Sequence, residues 1–67
     1  MKVILYTTHC PKCRILETKL KQKEIEYDEI TDPNIMIDKG FMQSPMLEVD
    51  GTVMDFSQAN TWINERN

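Results

Sequence analysis

Four consecutive apolar residues near the start of the chain, Val3-Ile4-Leu5-Tyr6, constrain its fold more than any other feature. A strand with one face in water alternates apolar and polar side chains, whereas a strand without alternation is buried on both faces. We therefore predict that Lys2 to Tyr6 forms a central strand of a sheet covered on both sides. The chain has 67 residues, so we assign residues 1–67 to one domain with a thin core.

A helix is predicted after this strand and a short loop, from Cys10 to about Lys23. Pro11 suits the first turn of a helix, where no amide hydrogen is needed. The positions at the spacing of one buried helix face are Cys13, Leu16 and Leu20. Ile25 to Ile30 begins with a period-two pattern that places Ile25 and Tyr27 on one face, which predicts a second strand parallel to the first.

The second half of the chain predicts a short helix followed by a hairpin. Asp32 before Pro33 is typical of a helix start, and Gly40 of a helix end. Asp50-Gly51 is a strong hairpin signal, because both turn positions tolerate a positive φ. The apolar-rich runs that this turn joins are Met46 to Val49 and Thr52 to Phe56.

A final helix completes the predicted order. Ser57 can cap it, and its apolar face at helical spacing consists of Ala59, Trp62 and Ile63. The sequence thus predicts an α/β fold of order β-α-β-α-β-β-α, with a four-stranded mixed sheet flanked by three helices. We interpret Phe56 and Trp62 as core aromatics, and four methionines as fillers of gaps in the core: Met36, Met42, Met46 and Met54.

Charge and hydropathy exclude two classes of function. The net charge is -3, with +4 over residues 12–23 and -8 after Lys23, so we expect no nucleic-acid binding, which needs an extended basic surface. We interpret the basic segment as a solvated helix face. The apolar run at the start is too short for a secretory leader, and no stretch is long enough to span a membrane. We therefore expect a cytoplasmic protein that does not bind membranes, and a monomer.

The pair Cys10 and Cys13 carries the predicted chemistry. Cys10 falls at the start of a helix, where unpaired amides favour a thiolate, and the cations of Lys12, Arg14 and protonated His9 favour it further. We expect Cys13, on the buried face, to keep its proton longer. This asymmetry predicts that Cys10 attacks a disulfide and that Cys13 resolves the mixed disulfide.

Two cysteines at this spacing also occur in metal sites. A closed zinc site needs four ligands, and too few are present, so we predict no resident metal. A copper(I) or soft-metal carrier that uses Cys10 and Cys13 stays open as the alternative. The small copper chaperones end in a strand, whereas this chain ends in a segment with helical spacing. A redox-inactive binding module is a third hypothesis.

A second motif, Ser44-Pro45, precedes the hairpin. Together with Tyr6-Thr7, Cys10-Pro11-Lys12-Cys13 and Asp50-Gly51, it makes the chain resemble the glutaredoxin family of the thioredoxin fold over nearly its whole length. The resemblance implies that Pro45 is cis and faces the cysteine pair, and that the backbone of Ser44 pairs with the extended chain of the substrate. We also place Pro11 and Lys12, between the cysteines, at the substrate-binding surface.

The sequence lies between two groups of this family. Glutaredoxins usually have tyrosine at the position of Lys12, a lysine before the first cysteine, and a paired-glycine, paired-aspartate turn where this chain has Met54 to Gln58. In that family these features hold the carboxylates of glutathione. Gly40 to Pro45 is instead similar to the Gly-Phe-x-Gln-x-Pro segment of small redoxins that serve ribonucleotide reductase and are recharged by thioredoxin reductase.

The resemblance and the cysteine pair predict a thiol–disulfide oxidoreductase that reduces protein or glutathione mixed disulfides. We expect no bound cofactor, with glutathione as a candidate co-substrate. The expected partners are a disulfide-containing protein, with ribonucleotide reductase as one candidate, and either glutathione or thioredoxin reductase as the source of electrons.

Overall fold

The computed structural model describes residues 1–66, so that Asn67 of the predicted domain lies outside the described residues. The predicted order of strands and helices is confirmed. The elements in chain order are β1 (Val3–Tyr6), α1 (Pro11–Gln22), β2 (Asp28–Ile30), α2 (Pro33–Asp38), β3 (Met46–Val49), β4 (Thr52–Met54) and α3 (Phe56–Asn64).

The sheet is four-stranded and mixed, with the order β2-β1-β3-β4. β1 pairs parallel with β2 and antiparallel with β3, so that Leu5 lies between Glu29 on one side and Leu47 on the other. β3 and β4 are antiparallel neighbours, and the turn between them has positive φ at Asp50 (49°) and Gly51 (87°). The predictions of an interior first strand and of a hairpin at Asp50-Gly51 are both confirmed.

One face of the sheet carries the main core. Side chains of a strand alternate between the two faces, so Val3 and Leu5 of β1 point to the same side. The buried cluster on that side joins two strands with α1 and α3, and its members are Val3, Leu5, Leu16, Leu20, Leu47, Ala59 and Ile63. This cluster fixes α1, and with it the cysteine motif at the start of α1, against the sheet.

The other face has a thinner cover, built around Tyr6. The Tyr6 ring is buried, and its centroid lies 4.9 Å from that of Phe41 in an edge-on arrangement. The Tyr6 hydroxyl donates to Glu48 Oε1 at 3.1 Å, and Lys39 Nζ lies 5.5 Å from the ring centroid. Met36 of α2 is buried as well. The segment that leads to Ser44-Pro45 is attached to the sheet through these contacts.

The second strand is shorter than the sequence predicts. It begins at Asp28 rather than Ile25, because Glu24 adopts a left-handed φ of 57° and the amide of Ile25 donates to the carbonyl of Leu20 at 2.9 Å. These residues therefore close the end of α1 instead of extending the sheet. Ile25 and Tyr27 still pack against the core.

The predicted cap of the last helix is wrong by two residues. Asp55, not Ser57, caps α3: its carboxylate accepts the amide of Gln58 at 2.9 Å, and the Gln58 side chain accepts the amide of Asp55 at 3.1 Å. This reciprocal arrangement satisfies two amides that a serine at position 57 would leave unpaired. β4 consequently ends at Met54 rather than Phe56. Phe56 and Trp62 pack partly buried against the core.

Within residues 1–66, no helix combines the length and the apolar character needed to cross a bilayer.

Candidate active site

The junction between β1 and α1 fixes the sulfur of Cys10 at the start of a helix. Cys10 is the N-cap residue, with an extended backbone (φ -69°, ψ 168°), and its carbonyl accepts the amide of Arg14 at 2.9 Å. Its sulfur accepts the amide of Cys13 at 3.2 Å. An unpaired helical amide therefore points at the sulfur, as the sequence predicts, and stabilises negative charge there.

The two sulfurs form a close pair of free thiols. Cys10 Sγ and Cys13 Sγ lie 2.7 Å apart, and the Cys10 thiol donates to Cys13. Cys10 is partly exposed, whereas Cys13 is 0% exposed. An incoming disulfide can therefore reach Cys10 first, and Cys13 only through Cys10.

The ionisation of Cys13 differs from the prediction. Burial raises the pKa of the Cys13 thiol, but hydrogen bonds outweigh burial and lower this pKa from 9.0 to about 6. The Cys10 side chain contributes most, followed by the Thr7 hydroxyl and the backbone of Thr8 and Cys10. The Thr7 hydroxyl has one proton, which it donates to Glu17 Oε2 at 2.9 Å. This hydroxyl can donate to Cys13 and lower its pKa only when the proton turns away from Glu17.

The lowered pKa of Cys13 runs against the expectation that this thiol keeps its proton longer. The hydrogen bond that the Cys10 thiol donates stabilises the Cys13 thiolate, because a charged acceptor strengthens such a bond. Accessibility therefore favours Cys10 over Cys13 as the sulfur that a second molecule contacts first.

The Ser44-Pro45 segment faces this pair. The peptide bond between these residues is cis, and Pro45 is fully buried. The Ser44 carbonyl lies 3.9 Å from Cys10 Sγ, and Ser44 Oγ lies 3.8 Å from Cys13 Sγ. The cis peptide bond that the resemblance implies is present, and Ser44, which precedes Pro45, lies beside both sulfurs.

The backbone of Ser44 is available to a second chain. β3 begins at Met46, and within residues 1–66 neither the amide nor the carbonyl of Ser44 takes part in a main-chain hydrogen bond. The strand ladder between β1 and β3 stops at Tyr6 opposite Met46. An extended substrate segment could continue the sheet at this point, which is the role that the resemblance gives to Ser44.

Thr8 belongs to the site, although the sequence placed it only in a loop. Its hydroxyl lies 3.9 Å from Cys13 Sγ and 3.0 Å from Ser44 Oγ. The signal that identifies it is the strand register: β1 pairs antiparallel with β3 so that Tyr6 opposes Met46, and one further step of two residues places Thr8 opposite Ser44.

The cations predicted to tune the thiolate point elsewhere. Lys12 Nζ lies 5.5 Å from the centroid of the Phe56 ring, in a cation–π arrangement. Arg14 Nε donates to the carbonyl of His9 at 3.3 Å. Neither side chain hydrogen-bonds a sulfur in the described part of the chain. Pro11 is exposed at the first helical position, beside Cys10, as its predicted place at the substrate surface requires.

His9 faces two carboxylates rather than the sulfurs. Its Nδ1 lies 3.2 Å from Glu17 Oε2, and its Nε2 lies 3.2 Å from Glu29 Oε1. Acceptors at both ring nitrogens are satisfied together only by the imidazolium form. The ligand atoms of these three residues lie within 4.8 Å of one another. The direct tuning role predicted for His9 is therefore not supported by its contacts.

One methionine departs from its predicted place in the core. Met42 is 98% exposed, two residues before Ser44, whereas Met36 is buried and Met46 and Met54 are partly buried. The interpretation of Met42 as a core filler is wrong. An exposed thioether at this position adds flexible apolar surface near the cysteine pair.

Comparison with known proteins does not place the chain in a family: no protein-family model matches the sequence, and no curated protein matches it either. A functional assignment depends on the geometry of the site.

Proposed function

We propose that the protein is a glutaredoxin-like thiol–disulfide oxidoreductase of the thioredoxin fold, which reduces disulfides of proteins or mixed disulfides with glutathione. The main support is the pair of sulfurs 2.7 Å apart, with Cys10 at the N-terminus of α1 and Ser44-Pro45 across from it. The parallel β1–β2 pair, the β3–β4 hairpin and α3 are compatible with the thioredoxin fold.

The reaction takes place in two exchange steps. The Cys10 thiolate attacks one sulfur of the substrate, a new S–S bond forms, and the substrate's own S–S bond breaks to release a thiolate that takes up a proton. The Cys13 thiolate then attacks Cys10 Sγ, which releases the second substrate sulfur as a thiolate. The protein is left with a Cys10–Cys13 disulfide, and two molecules of glutathione or a flavin-dependent reductase must supply two electrons to restore the dithiol.

The surroundings of α3 favour a protein reductase over glutathione as the source of electrons. The amide of Gln58 at the N-terminus of α3 already binds the carboxylate of Asp55, and Lys12 stacks on Phe56. A carboxylate of glutathione at this helix end would meet the negative charge of Asp55 instead of free amides. Thioredoxin reductase is therefore the preferred electron donor, with ribonucleotide reductase as a candidate substrate.

Serine variants of the two cysteines test the proposal. Cys10→Ser should abolish NADPH-dependent reduction of a disulfide substrate, because no accessible thiolate remains. Cys13→Ser should accumulate a mixed disulfide at Cys10, visible as an increase in mass that dithiothreitol removes. Ser57→Ala, an exposed substitution on α3, serves as a control and should keep turnover. Full turnover by Cys10→Ser would contradict the assignment of the attacking sulfur.

The assay is run with two electron sources, thioredoxin reductase alone and glutathione with glutathione reductase. We expect turnover with thioredoxin reductase and little with glutathione. The opposite result would place the protein with the glutathione-dependent members. Turnover with neither donor, combined with tight copper(I) binding by the reduced protein, would favour a soft-metal carrier that uses the same two sulfurs.

A further inference from the structure

In the second exchange step Cys13 must lose its proton in surroundings that differ from those in the reduced structure. In the reduced protein Cys13 Sγ is 0% exposed and its nearest partner is Cys10 Sγ at 2.7 Å. Once Cys10 is bonded to a substrate sulfur, it has no proton to donate, so the contact that most lowers the pKa of Cys13 is lost while burial still raises that pKa. The backbone of Thr8 and Cys10 still lowers this pKa, and hydroxyls that donate to the sulfur would add to that contribution.

Two hydroxyls are in place to help. Thr8 Oγ1 lies 3.9 Å from Cys13 Sγ and Ser44 Oγ lies 3.8 Å from it, and the two hydroxyl oxygens are 3.0 Å apart. The residues come from different segments, one before α1 and one before β3. Thr8 is exposed and Ser44 is partly buried, so the pair connects a buried sulfur with the surface.

The charged side chains near the β1–α1 loop contact other groups and do not assist the ionisation of Cys13 directly. Among residues 1–66, no carboxylate or imidazole hydrogen-bonds either sulfur. His9 pairs with Glu17 and Glu29, Lys12 stacks on Phe56, and Arg14 donates to the carbonyl of His9. The proton of the Thr7 hydroxyl is held by Glu17.

We propose that the hydroxyls of Thr8 and Ser44 form a proton relay for the resolving thiol, a role that rests on the proposed function. The Cys13 proton passes to Ser44 Oγ as Ser44 passes its own proton to Thr8 Oγ1 and Thr8 passes one to water, so neither hydroxyl changes its charge. The Cys13 electron pair forms the bond to Cys10 Sγ. The bond from Cys10 to the substrate breaks, and its electron pair leaves on the substrate sulfur, which takes up a proton from water.

The relay also stabilises the intermediate thiolate. When Cys13 is ionised, each hydroxyl can turn its hydrogen toward the sulfur or toward the other oxygen, so the thiolate receives at least one charge-assisted hydrogen bond. Such a bond contributes more to stability than a neutral one. The hydroxyls therefore assist the second step specifically, because Cys10 in the first step already receives the amide of Cys13.

The test follows both steps in a single turnover with an aromatic disulfide that releases a coloured thiolate at each step. The variants are Thr8→Val, Ser44→Ala and their combination, with Thr52→Val and Ser57→Ala as matched exposed controls. We expect the second release to slow by about tenfold or more relative to the first release in the double variant at neutral pH. Above roughly pH 9 the difference should close, because an unassisted thiol ionises there.

Each outcome separates the relay from its alternatives. A second release as fast as that of the unmodified protein in the double variant would overturn the relay and leave the proposed function intact. Equal slowing of both releases would also overturn it, because it would indicate a structural effect. Thr8→Ser restores the hydroxyl and should restore the second release. If the unmodified protein shows no first release at all, the proposed function itself fails, which is a different result.

Discussion

The loop between β1 and α1 has two sides of different chemistry. The side chains of Thr8 and Cys10 point toward Ser44 and Cys13, where hydroxyls and a helix amide contact the sulfurs. Thr7 and His9 point the other way, toward carboxylates. His9 has a left-handed φ of 60° whereas Cys10 has an extended backbone, so the side chains of these two neighbouring residues have unrelated surroundings.

The two sides of the loop differ in which groups contact the side chains. On the sulfur side, the amide of Cys13 and the hydroxyls of Thr8 and Ser44 contact the sulfurs directly, and these contacts do not depend on a nearby cation. On the other side, the imidazole ring of His9 lies 3.2 Å from the carboxylates of both Glu17 and Glu29. The comparison predicts that groups on the sulfur side control reactivity, and that groups on the carboxylate side control only the stability of the loop.

The largest expected effect is the dependence of stability on pH at Cys13. Its pKa in the folded protein, about 6, is lower than the ordinary value of 9.0. A lowered pKa stabilises the fold fully above the unfolded value, and that stabilisation is lost as the pH falls through the folded value. The free energy of unfolding of the reduced protein, relative to Cys13→Ala, should therefore rise between about pH 6 and pH 9 by at least about 1 kcal/mol.

Urea unfolding under reducing conditions at several pH values measures this difference. The variant Cys13→Ala cancels the contributions of titrating groups that are independent of Cys13. Cys10 is not independent, because it hydrogen-bonds Cys13, so the measured difference belongs to the sulfur pair. Parallel stability curves for the two proteins would show that the sulfur side does not stabilise a thiolate, and the comparison of the two sides would then lose its basis.

A smaller effect is expected at Glu17, on the carboxylate side. Its side chain is 16% exposed, accepts the hydroxyl of buried Thr7 and faces His9. Glu17→Gln keeps the shape and the acceptor for Thr7 but removes the charge, so we expect a loss of about 1 kcal/mol of unfolding free energy. The matched control is Glu26→Gln, at an exposed position. Alkylation of Cys10 should change by less than about twofold, and a larger change would connect the two sides.

Local signals in the sequence were sufficient for the order of elements. Asp32-Pro33 and Asp50-Gly51 fix a helix start and a hairpin through their own backbone preferences, and both appear where predicted. The ends of elements depended on contacts that no local pattern contains. β2 is short because Glu24 turns left-handed to close α1, and the cap of α3 is Asp55 because it pairs reciprocally with Gln58.

Site residues that belong to a motif could be predicted from the sequence. Site residues whose contacts depend on the tertiary structure could not. Cys10, Cys13 and the cis Ser44-Pro45 follow from motif and resemblance. The part played by Thr8 needed the register of β1 with β3, and that of His9 needed the position of Glu29 on β2. The number of cationic residues near a cysteine in the sequence predicts the local charge, but it does not predict where each side chain points.

The smallest effect, and the sharpest test of the comparison, is expected from His9→Asn. His9 has a φ of 60°, a left-handed conformation that asparagine adopts more readily than most residues, so the substitution removes both ion pairs and leaves the backbone unstrained. His9 is 50% exposed, and pairs at such positions contribute little, so the unfolding free energy should fall by about 0.5 kcal/mol in urea titrations. Glu29→Gln should have a similar effect, and the double variant less than the sum, because both changes break the same pair.

The alkylation rate of Cys10 tests whether His9 influences the sulfur. A change below about twofold in His9→Asn would show that the carboxylate side does not control the reactivity of Cys10, whereas strong slowing would restore His9 as a direct electrostatic partner of the thiolate.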